Sequence, residues 1–563
     1  MGSPLLPLLL LLLLGTPPSG AICNVATANE CRQKKPVPGM ELLGEGFDVV
    51  GLRSTGAWAV DTRSWQSRGS CTVCRNSLMN GQVQRLPRAV AHWLTDTNCN
   101  YHLRSTLYDS AEDLSASQSA GVDSSWSAGL DVKPRPGSGV RVTVAGEQSE
   151  TSSFGRKREA TDRYSFSSQE MECKLYRAVL GERPPLHPHF VQLLRRLPRR
   201  WDGRWDNGHG EGSGPGFFYR RFLRTFGTHY VRAVRLGGLF RDITALRTCQ
   251  VAAEGQTTEE VKDCLSIEAE AQIGSKFDSS AKYRHCKEAQ NRAEGRASFH
   301  QTYKDRLTVV QGGLLPQGAD LFFGGDGDEE GSSDRFKAWF DSLASHPGVT
   351  HRTLEPLHLL LPQRDPRRAL LRRAISHYIV ERASEGHAAN CSSKGCPRGG
   401  TRPSSVPGSC SCRCSADPWV NGQCCPKKKG WGRLEVKVVR CRDLWGDYVS
   451  GTDAYVKVSC GPGLKASTAV IANNNHPVWD VWLNLEEVQL GPDVRVRLEV
   501  WDQDGGLDHD DLLGACTVPL VAGPSRVDIC YLNHGSLNFE LRLTCGPHLG
   551  GDDCREYQPQ PGS

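Results

Sequence analysis

After residue 21 the sequence has no run of about eighteen apolar residues, so that part of it offers no transmembrane helix. Gly-x-Ser-x-Gly, His-Glu-x-x-His and P-loop patterns are also absent, which removes the usual footing for serine hydrolysis, zinc peptidase and nucleotide chemistry. Strong charge of either sign is missing: 68 basic against 63 acidic residues leave a formal +5, too mild to specify nucleic acid. From about 386 to 426 there are almost no apolar residues besides cysteine, and such a segment cannot build a core and must be stapled. Even the leading apolar block is short. Leu5 to Leu14 holds nine leucines and one proline, and small residues follow from Gly15 to Ala21. Although no Lys or Arg precedes it, this block reads as a signal peptide over 1–21 rather than an anchor, so the chain is expected to be secreted.

What is abundant is cysteine. The 22 residues fall into nine from Cys23 to Cys286, seven from Cys391 to Cys425 and six from Cys441 to Cys554. In a secreted chain they read as disulfides, and the two odd counts suggest a bridge between the first two groups. Cys71-Thr-Val-Cys74 has redox spacing, but in this context it reads as structural. At 563 residues about three or four domains are expected. Mixed strand-like and helix-like stretches fill 22–385, closing with a helix that Asp365-Pro366 opens and that runs to about Arg382. The cysteine-rich segment occupies 386–426. Short alternating runs, such as Val494 to Trp501, then predict an antiparallel sandwich over 427–545, with a tail at 546–563. Basic clusters at Arg195/Arg196/Arg199/Arg200, Arg367/Arg368/Arg372/Arg373 and Lys427–Lys429 are solvated faces or weak sites for anionic lipid, at about 1 kcal/mol per residue.

The longest pattern lies between Leu265 and Tyr283. Odd positions are apolar or small, among them Leu265, Ile267, Ala269, Ala271, Ile273 and Phe277, and even positions are polar. Period two marks a strand with one wet face, yet soluble strands average about 5–6 residues. Strands that cross a bilayer need about 9–11. Ala, Glu, Gln and Lys equally favour a solvated helix.

The densest chemistry is carboxylate. Asp447 and Asp453 share one loop; Asp502 and Asp504 follow a strand, with Asp508, Asp510 and Asp511 close behind. Such crowding is relieved by a cation, and Ca²⁺ takes six to eight oxygen ligands. An EF-hand is excluded, because its glycine and glutamate positions hold Leu507 and Leu513. Gly451-Thr-Asp-Ala-Tyr-Val-Lys-Val, Asn475-His-Pro-Val-Trp479 and Trp501-Asp-Gln-Asp resemble a calcium-dependent C2 domain, with His476 as a departure. The resemblance implies carboxylate ligands Asp447, Asp453, Asp502, Asp504 and Asp510, backbone ligands near Gly446 and Ser450, and further candidates Asp508 and Asp511. Trp445, Tyr448, Val449 and Leu507 beside them are candidate membrane-dipping residues, Trp445 being alternatively a core residue.

Phe226-Gly227-Thr228-His229-Tyr230, followed after six residues by Gly237-Gly238, resembles the signature of the membrane-attack-complex/perforin (MACPF) family, with Phe226 in place of Tyr or Trp. Read by itself, the string is a strand entering a close-packed bend, and His229 reads as a buried histidine. The resemblance implies an α+β multidomain fold: a bent antiparallel sheet flanked by helical clusters, an EGF-like disulfide shelf and an all-β C2 sandwich. The clusters, placed at about 147–180 and 265–313, are expected to unfurl into amphipathic β-hairpins of a ring-shaped pore. Implied disulfides are Cys23–Cys74, Cys31–Cys71, Cys99–Cys173, Cys249–Cys425, Cys391–Cys410, Cys396–Cys412, Cys414–Cys424, Cys516–Cys530 and Cys545–Cys554. Cys264 and Cys286 have no assigned partners; Cys441 and Cys460 flank the first acidic loop and could pair. Asn390-Cys391-Ser392 is the sole glycosylation sequon.

The function implied is a non-enzymatic, calcium-dependent cytolytic pore-former. It would bind phospholipid of target cells, assemble as a homo-oligomeric ring and pass granzyme-type proteases in killer-lymphocyte cytotoxicity. Storage would be in cytolytic granules, where acid would keep the carboxylates from holding calcium. The alternative is a non-lytic, calcium-dependent lipid-binding or adhesion protein on the same scaffold, which a liposome leakage assay separates.

Overall fold

The structure is a computed structural model. It describes residues 23–96, 99, 103–118, 122, 124–132, 149–202, 214–272, 281–292, 298–314, 329–384, 400, 412–446, 450–461, 463–504 and 509–560. Its first eleven strands are β1 (Cys23–Thr27), β2 (Glu45–Asp48), β3 (Arg53–Trp58), β4 (Ser70–Asn76), β5 (Gln82–Leu86), β6 (Val90–Thr95), β7 (Arg104–Tyr108), β8 (Tyr164–Leu180), β9 (His229–Arg247), β10 (Arg306–Gln311) and β11 (Gly348–Pro356). Eight more form the two sheets of a sandwich: β12 (Trp431–Arg442), β13 (Ala454–Cys460), β14 (Leu464–Ser467), β15 (Val478–Gln489), β16 (Arg495–Asp502), β17 (Asp511–Pro519), β18 (Gly523–Tyr531) and β19 (Ser536–Cys545). The helices are α1 (Ala28–Arg32), α2 (Ala111–Gln118), α3 (Glu150–Glu159), α4 (Pro188–Arg195), α5 (Pro215–Phe226), α6 (Thr248–Ala253), α7 (Thr258–Gln272), α8 (Ala281–Arg292), α9 (Phe299–Thr302), α10 (Glu329–Ser342) and α11 (Pro366–Ser384). The chain divides into two compact units, one of 1–155, 167–244 and 263–388, the other of 156–166, 245–262 and 389–563.

The first unit is organised by an eight-stranded sheet of order β3-β2-β9-β8-β6, in which β7 pairs with β8 while β10 and β11 both pair with β9. Strands of 17 and 19 residues, β8 and β9, run far beyond the usual length. The partner of β9 changes midway: β11 covers His229–Gly237 and β10 covers Leu239–Thr244. The handover requires glycine. A Cβ on Gly237 would collide with the Cys173 carbonyl, and Gly312 and Gly348 meet backbone in the same way. Beside it, Phe240, Met171, Trp339, Phe336 and Leu343 form a buried cluster. The larger core holds Phe47, Trp93, Tyr176, Tyr219, Phe222, Phe226 and Leu236.

The second unit contains a sandwich of two four-stranded sheets, β15-β12-β19-β18 and β14-β13-β16-β17. Alternation in β12, β13 and β16 sends Leu434, Val436, Val438, Val456, Val458, Leu498 and Val500 inward, where they meet Phe539 and Leu541.

Disulfides join Cys23–Cys74, Cys31–Cys71, Cys99–Cys173, Cys249–Cys425, Cys414–Cys424, Cys516–Cys530 and Cys545–Cys554, and also Cys264–Cys286. Cys441 and Cys460 are buried thiols and do not pair. Cys391, Cys396 and Cys410, with Asn390 and the expected signal peptide, lie outside the described residues. Among the described residues no helix is long and apolar enough to cross a membrane, which leaves strands unaddressed.

Two expectations change. The first inserting segment was placed at about 147–180, but Tyr164–Leu180 already forms β8, bonded into the sheet, so helix in that region is limited to α3. The second, 265–313, likewise ends in strand β10. The described part of the alternating run is helical, as α7 and α8. Val261, Leu265 and Ala269, spaced by four, are all buried, so one set of residues satisfies both the helical and the strand period.

Candidate functional site

Candidate residues cluster in two regions, one in each unit. At one end of the sandwich, the β13–β16–β17 ladder sets Asp502 opposite Ala454 and Asp511. Asp453 precedes β13 and Asp502 ends β16, so two loops bring their carboxylates together. The Asp453 N–H donates to Asp502 Oδ1 at 2.7 Å, and the Gln503 N–H donates to the Asp453 carbonyl at 2.9 Å. Asp502 is buried, whereas Asp453, Asp504 and Asp510 are half-buried. The Tyr455 hydroxyl donates to Asp510 Oδ2 at 2.5 Å. Desolvation and that carboxylate raise the Tyr455 pKa, so the phenol stays a donor.

A third loop joins them. The Asn473 N–H donates to Asp453 Oδ1 at 2.6 Å, while its side-chain Oδ1 accepts the Gly451 N–H at 2.7 Å. Asn475 Oδ1 accepts both the N–H and the hydroxyl of Thr452, at 3.0 and 2.9 Å. Asn473 goes unnamed in the sequence reading and Asn475 appears there only within a motif; the Asn473-Asn474-Asn475 triplet was the available signal, since such residues favour local side-chain-to-backbone bonds.

The donors present suit calcium in kind. They are hard oxygens, and the carboxylates of Asp453 and Asp502, which accept backbone N–H groups, have oxygens of the kind calcium takes. The first loop approaches closely at Gly446, where a Cβ would collide with Asp502 Oδ2. Ser450 is exposed on the first loop and Asp511 at the start of β17. Asp447, Tyr448, Val449, Leu507 and Asp508 lie outside the described residues. Among the described residues no three acidic, His or Cys groups already converge as a metal cluster. Trp445 is 44% exposed and meets His534 edge-on at 5.1 Å, so it is a surface residue rather than a core one. Tyr531 and Leu512, unforeseen, are exposed at 78% and 43%.

In the other unit, the signature string anchors the start of β9. Gly227 has φ 72° and lies against the Phe47 carbonyl, where no side chain fits. The Thr228 hydroxyl accepts the Val49 N–H at 3.1 Å. His229 Nε2 donates to the Trp126 carbonyl at 2.8 Å and Nδ1 sits 2.7 Å from Thr228 Oγ1. Burial pushes its pKa down to about 4, so it is a neutral packing residue with no access to substrate. Tyr230 donates to Glu355. Gly238 abuts Leu343 and Trp339 beside the Gly237 handover.

The remaining candidates, Leu265, Ile267, Ala269 and Ala271, sit on α7; Ile273 and Phe277 lie outside the described residues. Leu265 and Ala269 are buried and Ala271 is exposed. Thr257 and Glu260 cap α7 reciprocally, with Glu260 Oε2 accepting the Thr257 N–H at 2.7 Å and Thr257 Oγ1 accepting the Glu260 N–H at 3.1 Å. Glu268 accepts the backbone N–H groups of Phe299 and His300, at 2.9 and 2.8 Å, and so caps α9.

Comparison with known proteins places this geometry. Residues 28–386 match the MAC/Perforin domain and residues 432–531 match the C2 domain. The chain is 40% identical over 556 residues to Perforin-1 of Rattus norvegicus, covering 98% of this chain and 96% of that one. It is 40% identical over 541 residues to Perforin-1 of Homo sapiens, covering 96% and 93%. Complement component C8 alpha chain of Oryctolagus cuniculus is 25% identical over 465 residues, covering 76% and 72%.

Proposed function

The chain belongs to the membrane-attack-complex/perforin family, and from that premise we propose that it is a secreted, calcium-dependent, pore-forming cytolytic protein. The observation that carries the proposal is the relation of β9 to β10. They pair antiparallel up to Thr244 and Arg306, and α6 to α9 are the chain inserted between them. Such an insertion can extend the existing hairpin without altering the sheet that bears it. The run from Leu265 supports the same reading, because one parity of residue would meet lipid and the other water.

Membrane contact begins at the sandwich. Asp453, Asp502, Asp504 and Asp510 would hold calcium, with Asp447, Asp508, Asp511 and the backbone near Gly446 and Ser450 as further ligands. Bound calcium would neutralise the loop carboxylates. Trp445, exposed beside them, would enter the interface together with Tyr448, Val449 and Leu507. Subunits then assemble and the helices extend as strands. A strand edge left open in hydrocarbon costs several kcal/mol per unmet backbone group, so insertion requires an assembly that closes or caps the edge. The family relation supports a homo-oligomeric ring in target-cell or endosomal membrane, cytolytic granules as the store and granzyme-type proteases as cargo.

Two variants test separate steps with dye-loaded liposomes containing anionic lipid. Asp453→Ala should abolish calcium-dependent binding, and unchanged binding would refute the site. An engineered disulfide tying α7 to the sheet should leave binding intact and stop leakage. Leakage that continues from the oxidised variant eliminates the hairpin mechanism.

A further inference from the structure

Every residue pair in the β9–β10 ladder has numbers adding to 550, from Leu239 with Gln311 to Thr244 with Arg306. The disulfide between α7 and α8 joins Cys264 to Cys286, and these numbers also add to 550. Nothing in the helical packing requires this agreement. A ladder continued from β9 and β10 through the inserted chain without a bulge would set Cys264 directly opposite Cys286. Their Cα atoms are 5.5 Å apart in the helical state, a spacing that directly opposed residues in antiparallel strands also adopt. We propose that the Cys264–Cys286 bridge is carried intact through insertion and becomes a cross-strand pair that fixes the register of the hairpin. The inference rests on the pore-forming reading.

The same register orders the rest of the segment. It pairs odd with odd residues, so Leu265, Ile267 and Ala269 share the lipid face with His285, Tyr283 and Ala281. Cys264 and Cys286 fall on the water face, away from hydrocarbon. Glu268 comes opposite Lys282 on the water face, and no like charges oppose one another from 263 to 287. The midpoint of the register is residue 275, within Gly274-Ser275-Lys276, and a short loop containing glycine suits a hairpin turn. The nineteen-residue alternation thereby divides about this turn into arms of nine (265–273) and seven (277–283) residues. Partners change on the way. In the helical state Lys282 pairs with Asp263 at 3.0 Å, and Glu268 caps α9. The bridge is common to both states, so it acts as a register pin and not as a lock awaiting reduction.

The test uses the full-length protein on calcium-loaded vesicles of phosphatidylcholine and phosphatidylserine without reductant. Oxidised wild type should leak dye, and peptide mapping of washed, inserted pores under non-reducing conditions should recover Cys264 still joined to Cys286. Absence of wild-type leakage would count against the pore-forming reading itself. Leakage with the bridge found open, or leakage only after the bridge is removed, overturns the pin alone. A second measurement reads the register. In a Cys264→Ser/Cys286→Ser background that still leaks, Glu268→Cys with Lys282→Cys should cross-link under copper-phenanthroline in inserted pores, whereas Glu268→Cys with Glu288→Cys should not. The reverse outcome disproves the register. If the background does not leak, peptide mapping of wild-type pores decides the matter.

Discussion

His229 illustrates how a single side chain in a family signature serves the fold rather than chemistry. It is fully buried, its Nε2–H is committed to the Trp126 carbonyl, and desolvation lowers its pKa to about 4. In the unfolded chain it takes a proton near pH 6.5. Its contribution is therefore complete above pH 6.5 and declines as pH falls toward 4, by about 3 kcal/mol in total. Denaturation of wild type and His229→Gln at pH 7.5 and pH 5 should show the acid loss shrinking in the variant; equal losses would exclude this origin. At this scale the sequence was informative where charge was concentrated. Asp453 and Asp502 could be brought together on paper because carboxylates so dense demand a reason. Asn473 and Asn475 could not, since neutral amides some twenty residues away advertise nothing by charge, and only the folded loops reveal that they hold Asp453 and Thr452 in place.

At the scale of elements, α7 is the informative case. Leu265 and Ala269 fit a four-residue and a two-residue spacing alike, so pattern could not decide between helix and strand. What decides it in this state is local: the Thr257–Glu260 capping box at one end and the buried seam of Val261, Leu265 and Ala269 along one side. Thr257→Ala should cost α7 about 1 kcal/mol. Hydrogen exchange across 258–272 should then quicken about fivefold. Exchange unchanged in 258–272 would show that tertiary packing, not the cap, holds the helix. The polar residues Ser165, Ser167, Ser168 and Gln169 of β8 are buried in the sheet, where hydrogen bonds such as Ser165 to Thr248 satisfy them. The Cys264–Cys286 pairing was illegible because connectivity among many cysteines is combinatorial and becomes unique only in three dimensions.

At the scale of the whole molecule, the proposed action comprises two events: lipid capture at the sandwich and extension of the chain between β9 and β10. Which of these steps limits the rate is not legible in the sequence. The bridge closing α7 to α8 spans 22 residues, and this has a kinetic consequence. A hairpin whose arms are already joined needs no long-range search, and hairpin formation takes about 1–10 μs even without such a tie. Strand extension should thus be fast beside the encounter of many subunits on a surface, a concentration-dependent process of milliseconds to minutes. The initial leakage rate should rise as a high power of bound protein density. First-order dependence on density would mean that extension, rather than encounter, is the slow step.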